Sequence, residues 1–84
     1  MTNYKRQNNL RLLGLTIAYY RKSRGLTQLE LAENVEISRT HMSNIEANNG
    51  KSAISLTKLF EIAEALDVEV KDLFDFRREG KDSD

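Results

Sequence analysis

Eighty-four residues suffice for one domain with a single small core but not for an enzyme cleft with a lid, and no enzymatic activity is expected. The chain has no cysteine and one histidine, which excludes disulfides, thiolate metal sites and a reactive thiol, so no metal or cofactor is expected. The net charge is zero but unevenly spread: residues 1–51 hold eight Lys or Arg against four Glu, residues 52–84 five against nine Asp or Glu, so the N-terminal half is the one a polyanion attracts.

The first nine residues, MTNYKRQNN, lack the apolar core of a signal peptide, and no later run approaches the length of a membrane span. A soluble cytoplasmic protein is expected. Residues 1–9 are polar apart from Tyr4 and read as a flexible arm whose cations are Lys5 and Arg6. A first helix from Leu10 to Ser23 carries Leu10, Leu13, Ile17 and Tyr20 on one face and ends at Gly25, which suits the left-handed conformation of a helix terminator. Leu12, Leu15 and Tyr19 lie off that stripe and offer a second apolar surface.

Thr27 precedes an apolar-periodic run and is followed three residues later by Glu30, a capping box in which hydroxyl and carboxylate each take a free backbone N–H. Leu31, Ala32 and Val35 share the stripe of this second helix. Ser38 caps a third, in which Met42 and Ile45 do the same. Only Val35, Glu36 and Ile37 separate the two, so they must turn sharply, and Ala32 is small enough for a close crossing. Helix three then buries Met42 and Ile45 and leaves Arg39, Thr40, His41 and Asn44 outside: a cation, two groups that donate or accept, and an amide. Groups of these kinds read base edges. Gln28, at the first helical position after Thr27, sits where free N–H groups and the helix dipole favour an anion such as a phosphate.

The loop ANNGKSAI offers Asn48, Asn49 and Lys51 as phosphate-facing groups around a turn at Gly50. Ser55 caps a fourth helix, with Leu56, Leu59, Phe60, Ala63 and Leu66 at helical spacing. Asp67 occupies its left-handed exit, and Val68, Val70, Leu73 and Phe74 form a short fifth helix, followed by Phe76. Residues 77–84, RREGKDSD, have no apolar content and read as a disordered tail, leaving residues 10–76 as the domain.

The stretch TQLELAENVEISRTHMSNIE resembles the helix-turn-helix of the phage-repressor class, the Xre and Cro type. Leu13, Gly14, Ile17, Arg21, Gly25 and Leu26 fall where that family places helix one and its exit, and SLTKLFEIAEALDVEVKDLF on its fourth and fifth helices, so the likeness covers Leu13 to Phe74. It implies an all-α, compact five-helix lambda-repressor-like DNA-binding domain. It also implies a buried ion pair between Arg21 and Glu46, with Arg21 near the DNA backbone, and a phosphate contact from Gln28. Departures are Glu36 where the family has a turn Gly, a loop from Ala47 to Ile54 two residues longer than the common form, and Ile54 for its usual Pro.

The resulting expectation is a sequence-specific transcriptional regulator, a repressor, that binds double-stranded DNA as a homodimer. Arg39, Thr40, His41 and Asn44 read bases; Thr27, Gln28, Arg21, Asn48, Asn49 and Lys51 hold the backbone; Leu73, Phe74 and Phe76 form the dimer contact. The alternative is a module that grips another protein, such as an antitoxin or a regulator's antagonist, with DNA binding secondary.

Overall fold

The computed structural model describes residues 2–47 and 53–76, which form five helices: α1 (Thr2–Ser23), α2 (Gln28–Asn34), α3 (Arg39–Glu46), α4 (Leu56–Leu66) and α5 (Val70–Leu73). Helix α1 begins at Thr2 rather than Leu10. Residues 2–9 contain neither Gly nor Pro, and once a helix has nucleated each added residue gains one backbone hydrogen bond. The segment expected to be an arm therefore continues α1, with residues 4–9 exposed.

Three helices end on the same motif, although only one of them ends with glycine. After α1, Gly25 has φ 73°, its N–H bonds Lys22 O and that of Leu26 bonds Arg21 O. Glu36 after α2 (φ 61°) and Asp67 after α4 (φ 60°) repeat this pattern, with Ile37 N–H on Ala32 O and Val68 N–H on Ala63 O. In each case the left-handed residue lets two otherwise free carbonyls of the last turn be satisfied. The starts are equally well provided. The Thr27 hydroxyl accepts from Glu30 N–H while the Glu30 carboxylate accepts from Thr27 N–H, and Ser38 and Ser55 accept from the N–H groups of His41 and Lys58.

The core gathers Leu13 and Ile17 of α1, Leu31, Ala32 and Val35 at α2, Met42 and Ile45 of α3, Leu59, Ile62, Ala63 and Leu66 of α4, and Leu73 of α5. On α4 the buried stripe is centred on Ile62 and Leu66, so Leu56 and Phe60, expected inside, are 68% and 49% exposed. Leu56 occupies the first turn, and Phe60 lies about 100° around the helix from Leu59, beyond the edge of the stripe. Arg24 ties α1 to the end of α4 by donating from Nε to Leu66 O at 2.7 Å.

Gly14 fixes how α1 meets α3. A Cβ at this position would lie 2.3 Å from the carbonyl oxygen of Ile45 and 2.8 Å from that of Glu46. Backbone therefore touches backbone, and only glycine permits it.

Candidate nucleic-acid interface

The two faces of α3 divide cleanly. Met42, Ile45 and Glu46 are buried, whereas Arg39, Thr40 and Asn44 are exposed and His41 is half-buried. Because Ser38 caps the helix and the chain turns within Val35–Ile37, this polar face stands at a corner with its first turn leading. An eight-residue helix is about 12 Å long, comparable with the roughly 12 Å width of the B-DNA major groove.

The C-terminal end of α3 is held from within. Arg21 Nε donates to Glu46 Oε2 at 2.6 Å and Arg21 Nη2 to Oε1 at 3.0 Å, a bidentate pair with side chains 10% and 5% exposed. Arg21 Nη1 donates to Leu26 O at 2.7 Å, and Gln28 Nε2 donates to Glu46 Oε1 at 3.0 Å. One carboxylate thus joins α1, the start of α2 and the end of α3. Every Arg21 nitrogen donates inside the domain, and the ion pair expected of Arg21 and Glu46 is formed. Gln28, half-buried at the start of α2, likewise turns its amide NH2 inward onto Glu46.

Thr27 is exposed beside Gln28, on the side of the molecule where Glu46 gathers α2 and α3. Asn48, Asn49 and Lys51 lie outside the described residues. Leu73, expected at a dimer contact, is instead fully buried beneath α5, because it faces the core that α1 and α4 line. Phe76 is half-buried against that core. Phe74 remains half-exposed, its ring edge-on to Phe76 with centroids 6.5 Å apart.

This architecture has known counterparts. A helix-turn-helix family model matches residues 17–73. The chain belongs to that Xre-type helix-turn-helix family. The control protein C.BamHI of Bacillus amyloliquefaciens is 39% identical over 71 residues, 82% of this chain and 85% of that protein. The HTH-type transcriptional regulator SinR of Bacillus subtilis (strain 168) is 34% identical over 68 residues, 81% of this chain and 60% of its own length. Among solved structures, the restriction-modification controller protein C.AhdI from Aeromonas hydrophila has TM-score 0.74 at 29% identity, covering 81% of this chain and 96% of that one. SinR in complex with DNA has TM-score 0.68 at 35% identity, covering 75% and 98%.

Two features of this helix-turn-helix escape a reading of the sequence. The backbone contact at Gly14 has no signal beyond a glycine inside an otherwise helical pattern, where it is unfavourable unless packing requires it. Lys58, on α4, reaches Val35 O, a partner 23 residues away that no local spacing announces.

Proposed function

We infer that the protein is a sequence-specific DNA-binding transcriptional regulator that places α3 in the major groove. The observation carrying this reading is a capped, internally anchored helix whose outward face holds Arg39, Thr40 and Asn44. Arg39 offers two donors to guanine O6 and N7, Asn44 suits an adenine, and Thr40 and His41 serve a base, a thymine methyl or a phosphate. Thr27, the start of α2 at Gln28, and the loop with Asn48, Asn49 and Lys51 fix the register through phosphates. SinR, solved bound to DNA, and the controller proteins support the same assignment. Such a protein works in the cytoplasm, at the nucleoid.

The regulator acts as a homodimer on a two-fold symmetric operator, with half-sites about 34 Å apart. With Leu73 inside the core, the dimer contact falls to the exposed aromatics of the C-terminal half, Phe74 with Phe60. Repression follows from occupancy: a dimer over an operator that overlaps a promoter excludes polymerase.

Selection from random duplexes, followed by sequencing, tests the reading, and a two-fold symmetric consensus is expected. On that site Arg39→Ala loses discrimination at one base pair by about 1–3 kcal/mol while the fold survives. Equal weakening on every sequence would make Arg39 a phosphate contact. Light scattering is expected to give twice the chain mass, and Phe74→Ser to give the monomer. A folded protein that selects no duplex would leave the protein-binding module as the function.

A further inference from the structure

Lys58 lies on α4, behind the helix-turn-helix, yet its ammonium reaches the corner itself. Nζ donates to Val35 O at 2.6 Å and to Glu61 Oε1 at 2.6 Å, with the Lys58 side chain 23% exposed. Val35 ends α2 and is 2% exposed. Its carbonyl is among the last of α2, which have no partner in the next turn of helix, and a cation there also meets the negative end of the helix dipole. Glu61, one turn along α4, keeps the ammonium in place.

The bond falls at the position where the direction of α3 is decided. Only Glu36 and Ile37 separate Val35 from the Ser38 cap, and Glu36 is held in the left-handed region at φ 61° without being glycine. A non-glycine residue there stores about 1 kcal/mol of backbone strain, so the corner is held by its surroundings rather than by its own preference. A small rotation of the Val35–Glu36 peptide would tilt the first turn of α3, which carries Arg39 and Thr40, about the end that Arg21 and Gly14 hold. The Arg21–Glu46 pair fixes only the far end of that helix.

We propose that Lys58 is a positioning residue for DNA recognition: by gripping Val35 O it sets the angle at which α3 leaves the corner and hence the register of Arg39, Thr40 and Asn44 on the bases. The inference rests on the DNA-binding reading above. With its ammonium committed to Val35 O and Glu61 Oε1, the contribution of Lys58 appears in discrimination and not in charge.

The test compares wild type, Lys58→Met and Lys58→Gln, titrated against the selected duplex and a scrambled one across a salt series, well below their melting temperatures. Methionine keeps most of the stem and removes the donor. Glutamine does not span the gap and gives the same reading should the methionine variant not fold. In both, the ratio of specific to non-specific affinity is expected to fall about tenfold, comparable to losing roughly one base-reading contact. Non-specific affinity and the slope of binding with salt are expected to stay unchanged. Amide chemical shifts along α3 move in the free protein.

A slope reduced by about one phosphate contact, with both affinities lowered together, would make Lys58 a DNA-backbone ligand and overturn the proposal. Full discrimination in a folded variant that merely melts earlier would make Lys58 structural only, and overturns it as well. A wild type that prefers no duplex overturns the DNA reading and this inference with it. Selection by wild type and variants alike overturns this inference alone.

Discussion

The helix-turn-helix is held at two places by charged side chains, and the two differ in kind. At the end of α3, Arg21 and Glu46 are almost wholly buried, bonded to each other twice, and share Gln28 and Leu26 O as further partners. At the corner, Lys58 and Glu61 form an i, i+3 pair with side chains 23% and 42% exposed. Water competes for the second pair and hardly at all for the first, so breaking the first strands a charge in a poor dielectric whereas breaking the second lets solvent take over. One cluster governs whether the domain holds together; the other governs only where a helix points.

The largest effect should come from Glu46→Leu, which leaves Arg21 buried without its counter-charge and lowers unfolding free energy by about 3–5 kcal/mol. Adding Arg21→Met is expected to recover most of that loss in denaturant melts, since apolar groups strand no charge. Additive single effects would show that the pair carries no coupling. Gly14→Ala comes next. Its methyl meets the Ile45 carbonyl, so α1 and α3 must part, costing about 1–3 kcal/mol in the same assay. An unchanged midpoint would mean that this crossing yields freely.

Glu36→Gly changes the corner in the opposite direction. Removing left-handed strain is expected to add about 1 kcal/mol, read as a rise of roughly 4–8 °C in Tm for a domain of this size. The smallest effect belongs to Glu61→Gln, under about 1 kcal/mol. If it matched Glu46→Leu, the distinction between a buried and a solvated clamp would fail.

Much of this was legible in the sequence where the cause is local. Thr27, Ser38 and Ser55 cap helices because a hydroxyl can reach an N–H two or three residues on, and Asp67 ends α4 because its own backbone adopts the required φ. The buried pair of Arg21 and Glu46 came from family resemblance, not from spacing, since 25 residues separate the partners. Periodicity identified the apolar stripe of α4 without locating its centre, which packing alone decides; hence Ile62 went in and Phe60 out. It was blind for the same reason to Leu73, whose burial depends on where α5 lands. The extent of α1 is not legible in the sequence, because polar residues without a breaker suit a helix as well as an arm.

The Gly14 crossing also bears on how the molecule opens. With the α1 backbone pressed against the carbonyls of Ile45 and Glu46 and Arg21 bridging the same junction, α3 cannot detach by fraying from its C-terminal end unless α1 lets go as well. The two helices then form one cooperative unit, and the amides of Met42 and Ile45 should exchange with solvent only when the whole domain unfolds, giving protection equal to the global stability. The helix that faces outward to meet a partner is, on its inner side, among the last parts of the protein to open.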